Sequence, residues 1–201
     1  GSSAESVEKG VNCARRQTMK ERGMLPWEEA WAAMTNMVHT IDPVYNEDSE
    51  ILILGSFPSV KSREQQFFYG HKQNRFWRVL AQVLGCEEPE GIAQKKAMLL
   101  AHHIAVWDVI ASCEITGSSD ASIRNVEPNN LSRILSAADI RAIYTNGSKA
   151  HQLYRKYIYP VNGREACLLP STSPANAGYS LERLVSAWSV IRKDGSPECE
   201  S

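Results

Sequence analysis

Four short apolar runs, each ending in small or helix-breaking residues, punctuate the chain. Ile51-Leu52-Ile53-Leu54 is wholly apolar and gives way at once to Gly55-Ser56-Phe57-Pro58-Ser59. A continuous apolar run of that length with a Gly/Ser/Pro loop behind it predicts a parallel strand buried on both faces. Residues 103–110, 140–145 and 166–169 repeat the theme. The third of these runs stops at Asn146-Gly147 and the last at Pro170-Ser171-Thr172-Ser173-Pro174-Ala175-Asn176. Between them lie stretches with helical spacing: 74–84, 95–100, 130–137, 148–157 and 180–192. Ser148 and Ser180 are candidate helix caps. A further amphipathic helix is expected over 26–38, with Pro26 suited to its first turn. Strands alternating with helices predict an α/β domain with a mainly parallel sheet. The expected division is 1–45 as an N-terminal extension (a Gly1-Ser2-Ser3 tag remnant and a helix), 46–195 as the domain, and 196–201 as a tail.

Composition adds a few exclusions. The chain has 201 residues, 22 Lys+Arg against 23 Asp+Glu, and 43% hydrophobic residues, ordinary values for one globular domain. It contains no run of about 18 apolar residues, so a membrane span is not expected. An apolar secretory leader is missing from the first residues too, so the expectation is a cytoplasmic protein of a bacterial or archaeal cell, monomeric by default. The five cysteines include no C-x-x-C pair and predict free thiols rather than a zinc or iron–sulfur site. Near-neutral charge argues against coating nucleic acid by charge alone. Locally, residues 60–80 carry Lys61, Arg63, Lys72, Arg75 and Arg78 against Glu64. That stretch is either a modest phosphate-contact surface or a solvated helix face.

Ligands of open α/β sheets bind at the carboxyl ends of the strands. The loops 55–59 and 170–176 belong there. They are rich in hydroxyls and backbone donors and poor in carboxylates. Neither is G-x-G-x-x-G, a Walker loop or G-x-S-x-G, and the chain has no H-E-x-x-H. His71, His102, His103 and His151 show no ligand spacing and read as surface or capping residues. Asp108, at a strand end, is either a base or a turn cap. Phe67, Phe68 and Tyr69 precede His71-Lys72-Gln73-Asn74-Arg75. An aromatic face beside amides can hold a nucleobase by stacking and edge hydrogen bonds. The alternative is core packing for the aromatics and a helix N-cap for Asn74.

Several separated motifs bear a closer likeness. Residues 55–65, 68–77 (ending Gly70-His71-Lys72-Gln73-Asn74-Arg75-Phe76-Trp77), Trp107-Asp108-Val109-Ile110, 117–123 and Leu169–Asn176 resemble the hypoxanthine-DNA glycosylase (DNA-deoxyinosine glycosylase) family of the uracil-DNA glycosylase superfamily. The likeness runs from about residue 41 to 191 and leaves 1–40 uncovered. The Gly-His-x-x-Asn-Arg-Phe-Trp segment is also similar to the mismatch-specific uracil/thymine branch. The resemblance implies a three-layer α/β/α sandwich around a four-stranded, mainly parallel sheet. It implies a monofunctional DNA glycosylase that flips out a deaminated base, hydrolyses its N-glycosidic bond and leaves an abasic site, with DNA as partner and neither metal nor cofactor.

It also implies site residues. Where other branches carry a polar water-handling side chain in the first motif, this sequence has Phe57, so the role falls to Asn74. Ser171 aligns with the second-motif residue that steadies the base or leaving group. Backbone N–H groups at Ser56 and Phe57 would bond the base and Tyr69 would stack on it. Ser59, Lys61, Ser173 and Asn176 would hold flanking phosphates, and Asp108 is a reserve carboxylate. Phe57 makes hypoxanthine the expected substrate over uracil. A mismatch-specific uracil/thymine glycosylase, a non-catalytic lesion-binding module and a small-molecule α/β enzyme are the alternatives.

Overall fold

The computed structural model describes residues 37–38, 41–58, 60–115 and 123–192. The chain divides into a larger unit, residues 38–112 with 126–201, and a smaller one, residues 1–37 with 113–125. The candidate site lies wholly in the larger unit.

Its centre is a parallel sheet of four strands, β2 (Ile51–Gly55), β3 (Ile104–Asp108), β6 (Ala142–Asn146) and β7 (Cys167–Leu169), in the order β3-β2-β6-β7. Leu52, Ile53 and Leu54 have no exposed surface. Successive strand residues point to opposite faces, so burial of all three means that both faces are covered. Helices supply the cover. The chain forms α1 (Val60–Gln65), α2 (Phe76–Leu84), α3 (Gly91–Ala101), α4 (Ser132–Leu135), α5 (Ser148–Leu153), α6 (Tyr159–Asn162) and α7 (Leu181–Trp188). Helix α2 packs on α7, α3 on β3, and α5 on β6 and β7. Trp188 and Phe76, both fully buried, meet edge to face at 5.8 Å where α7 crosses α2.

A second, three-stranded sheet has the order β1 (Met37–Val38), β4 (Ile110–Ile115), β5 (Ile123–Pro128). The expected strand over 103–110 is therefore two elements: β3 ends at Asp108, and Ile110 opens β4. The expected helix over 26–38 lies outside the described residues except at Met37 and Val38, which are extended. Ile41 and Val44 are buried, and Val44 exchanges both backbone hydrogen bonds with Val106. Helix α1 was not legible as a periodic stretch. Ser148 does not cap α5; Gly147 holds that position with no side-chain bond. Ser180 does cap α7, accepting from the Arg183 N–H at 3.2 Å. Among the cysteines, Cys86 is a free exposed thiol, whereas Cys167 is disulfide-bonded, which corrects the expectation of free thiols throughout. Among the described residues no helix is long and apolar enough to cross a membrane.

Topology points to a cleft. Strand β2 connects outward to β3 on one side, and β6 connects outward to β7 on the other. The connections part between β2 and β6, and crevices at such a switch point are where parallel sheets bind ligands.

Candidate active site at the sheet switch point

Position 55, the last of strand β2, has no room for a side chain. A Cβ there would sit 2.3 Å from Asp108 Oδ1 and 3.1 Å from the Tyr69 hydroxyl. Gly55 and Asp108 are register partners on β2 and β3, so the carboxylate is delivered beside the glycine by the strand pairing. Asp108 is 3% exposed. The segment after it is bolted down: Val109 N–H donates to the Gly55 carbonyl at 2.8 Å and Ile110 N–H to the Ser56 carbonyl at 3.1 Å. The Asn129 amide then ties the carbonyls of Asp108 and Ile110 at 2.8 and 3.3 Å.

Tyr69 comes from the loop between α1 and α2. Its φ is +51°, a left-handed conformation uncommon for a residue with a side chain. The residue is half-buried, its ring stacks on Phe76 at 3.9 Å, and its hydroxyl is buried. Burial raises the hydroxyl pKa well above the ordinary tyrosine range, the Asp108 charge raises it further, and the Asn146 side chain opposes the shift. Tyr69 is therefore a neutral phenol at any physiological pH.

A second set of contacts joins three separate segments. Asn74 Oδ1 accepts from the Phe76 N–H at 3.0 Å, tying off the start of α2. The same oxygen accepts from the Thr172 hydroxyl at 2.8 Å. Thr172 Oγ1 accepts from Asn146 Nδ2 at 3.0 Å, and the Thr172 N–H donates back to Asn146 Oδ1 at 3.0 Å. Thr172 is fully buried, whereas Asn74 and Asn146 are half-buried. The end of β6, the loop after β7 and the start of α2 are thus linked by one hydrogen-bonded chain. Asn74 precedes Arg75, which holds the N-cap position of α2, and its side chain bonds to the first helical residue.

The loop after β7 is shaped by Arg75. Its guanidinium donates to the carbonyls of Tyr179, Ser173 (3.0 Å) and Asn176 (3.0 Å), and its N–H donates to the Thr172 carbonyl at 3.0 Å. A planar fork suits several carbonyls at once. Arg75 is spent inside the protein and leaves the basic surface foreseen over 60–80. Trp188 Nε1 pins the Pro170 carbonyl at 2.9 Å. Gly147, at φ +95°, lets Ser171 approach: a Cβ on the glycine would meet Ser171 Cβ at 3.0 Å.

The other expected residues fall as follows. Ser56 and Phe57 are half-buried beyond β2. Ser171 Oγ accepts from the Ser173 N–H at 3.1 Å, and the Ser171 carbonyl accepts from Asn176 Nδ2 at 3.0 Å. Ser173 Oγ accepts from the Ala175 N–H at 3.2 Å and keeps its proton to donate. Asn176 is largely engaged in holding its own loop. Ser59, the Lys61 side chain and most of 117–123 lie outside the described residues. His71, His102 and His103 are exposed. His151 is half-buried with Nδ1 2.9 Å from Thr145 Oγ1; burial first, then Arg155, lowers its pKa, with Glu165 opposing. Thr172, Asn146 and Asn129 were missed as site residues. An Asn-Gly pair at a strand end and a Thr between two serines in the loop after β7 were the only signals. Among the described residues no three His, Cys, Asp or Glu side chains converge as a metal ion would require.

Chemically, the cleft offers neutral donors and a buried phenol beside a single carboxylate. That set can bind an uncharged heterocycle and receive negative charge.

Comparisons with known proteins bear on the family and the fold. The model of the "UDG: Uracil DNA glycosylase superfamily" matches residues 43–192. The chain is 36% identical over 150 residues to a hypoxanthine DNA glycosylase of Methanosarcina acetivorans, covering 74% of this chain and 93% of the relative. It is 33% identical over 154 residues to a hypoxanthine DNA glycosylase of Methanosarcina barkeri, covering 75% and 95%. The solution NMR structure of a candidate uracil DNA glycosylase from Methanosarcina acetivorans superposes with a TM-score of 0.64 at 31% identity, covering 76% of this chain and 97% of that one.

Proposed function

The chain belongs to the uracil DNA glycosylase superfamily, and on that premise we propose that it is a DNA glycosylase that removes hypoxanthine from deoxyinosine. The observation that carries this reading is the hydrogen-bonded chain Asn74–Thr172–Asn146 at the carboxyl end of the sheet, where the connections part between β2 and β6, with Tyr69 beside Asp108 and Asn146. A base inside a duplex cannot reach such a cleft, so the nucleotide is flipped out, at a cost of a few kcal/mol that is smallest in a weak pair. The Tyr69 ring, backed by Phe76, stacks against the base. Backbone N–H groups at Ser56 and Phe57 bond its carbonyl oxygen, and Ser171 stands across the cleft on the loop after β7. Ser59, Lys61, Ser173 and Asn176 face the flanking phosphates, with Ser173 best able to donate.

The bond between C1′ and the base nitrogen breaks and its electron pair leaves with the base. Water adds its oxygen to C1′, and its released proton passes to solvent or to the base. Phe57 cannot activate water, so departure of the base leads and capture by water follows. A carboxylate base is then unnecessary, and Asp108, buried behind Gly55, shapes the floor. A DNA substrate puts the protein in the compartment that holds DNA, the cytosol and nucleoid of a prokaryote.

The test is single-turnover excision on duplexes carrying hypoxanthine, uracil, xanthine or ethenoadenine, read by alkali cleavage. Hypoxanthine should be released fastest. Uracil released as fast or faster would move the protein to the mismatch-specific reading, and no release from any duplex would leave a lesion-binding module.

A further inference from the structure

The hydrogen-bonded chain through Asn74 has only one possible polarity. A main-chain N–H can only donate, so the Asn74 atom 3.0 Å from the Phe76 nitrogen is Oδ1. The Thr172 N–H likewise fixes Oδ1 of Asn146, which leaves Asn146 Nδ2 to donate to the Thr172 hydroxyl. A hydroxyl that accepts there has its one proton left for Asn74 Oδ1. Turning either amide over would set donor against donor at a backbone nitrogen. Asn74 Oδ1 therefore holds two donors already. Its Nδ2 makes no hydrogen bond to the described residues and is not sealed in the interior. What Asn74 offers the cleft is hydrogens only.

That polarity bears on how Asn74 acts. To aim water at C1′, the useful contact is an acceptor for the water's proton, and that oxygen is occupied. Donating to the water instead ties up a lone pair that the attack needs. A donor is of most use where negative charge grows, which in this reaction is the departing base. Asn74 also stands at the N-terminal end of α2, a nine-residue helix whose positive end favours an anion. We propose that Asn74 donates from Nδ2 to the leaving hypoxanthine, and that Thr172 is the positioning residue that fixes the polarity of its amide. This rests on the glycosylase reading above.

The experiment measures single-turnover release of hypoxanthine from a deoxyinosine duplex between pH 5 and 8. The proteins are wild type, Asn74→Asp, Asn74→Ala, Thr172→Ser and Thr172→Val. Asn74→Asp keeps the contacts to Phe76 and Thr172 but replaces the donor with an acceptor. It should lose about 100-fold at pH 7.5, as removal of a transition-state donor does. It should regain rate toward pH 5, where the carboxyl acquires a proton to donate, while Asn74→Ala stays low throughout. An Asn74→Asp enzyme that keeps its rate at pH 7.5, gains rate with rising pH, or stays as flat as Asn74→Ala overturns the donor assignment.

Thr172→Ser should stay within about 3-fold of wild type. Thr172→Val should lose at least 10-fold with unchanged affinity for the abasic product, and lose little more when Asn74→Ala is already present. Equal losses in the serine and valine variants, or a valine loss that adds fully to Asn74→Ala, overturn the positioning role. Should Thr172→Val fail to fold, Asn74→Asp still decides the donor assignment, and Thr172→Ala, which also removes the hydroxyl, takes the place of the valine variant in both comparisons. Failure of the underlying reading looks different: wild type releases no hypoxanthine, or Asn74→Ala keeps the full rate.

Discussion

Replacing Gly55 by alanine tests whether the floor of the cleft is packed as tightly as the geometry requires. The added methyl would lie 2.3 Å from Asp108 Oδ1, 3.1 Å from the Tyr69 hydroxyl and 3.5 Å from Asp108 Cγ. The closest of these is about 1 Å short of ordinary van der Waals separation. Asp108 is 3% exposed and its backbone is tied to Asn129, so it has little room to withdraw. Overpacking of this kind costs about 1–3 kcal/mol. For a chain of this size each kcal/mol lowers Tm by about 2–4 °C. The rate should suffer more than the fold, because about 1 Å of misplacement in a reaction cleft can cost 10²-fold. Urea unfolding and single-turnover hypoxanthine release measure the two effects. Adding Asp108→Ala removes the atom in the way, so the double variant should be more stable than the sum of the single effects implies. A Gly55→Ala protein with the wild-type urea midpoint and rate would show that the floor is loose and that the packing account is wrong.

Two further outcomes follow from neighbouring contacts. Arg75→Lys loses the fork that spans the Tyr179, Ser173 and Asn176 carbonyls; urea denaturation should show a loss of about 2–3 kcal/mol, with earlier proteolysis in 170–179, and an unchanged midpoint would refute the clamp. His151 has a lowered pKa, chiefly from burial, so the folded state resists the proton that the unfolded chain takes up near its ordinary value of about 6.5. The stabilisation is present above that value and lost as pH falls; the urea midpoint should drop between pH 7 and 5, and His151→Gln should reduce the slope.

Much of the architecture was open to reading along the chain. Ile51–Gly55 and Ile104–Asp108 are apolar at every or nearly every position, because a parallel strand covered on both faces has no solvent side to mark with polar residues. The loops after β2 and β7 announced themselves by Gly, Pro and hydroxyl residues, since turns at strand ends need them. Helix α1 and strands β4 and β5 did not, being short and without a clean period. The expectation for Arg75 went astray for a related reason: a charge count cannot tell a cation facing solvent from one turned onto bare loop carbonyls.

The α/β class, the family and the two loops that frame the candidate site can be read along the chain, because they follow from local patterning and from motifs in line. Which end of the Asn74 amide is left free to donate depends on the fold. Thr172 is 98 positions from Asn74 and 26 from Asn146. A hydrogen-bond direction set by two backbone N–H groups on separate segments leaves no local trace, since it exists only once the chain has brought those segments together.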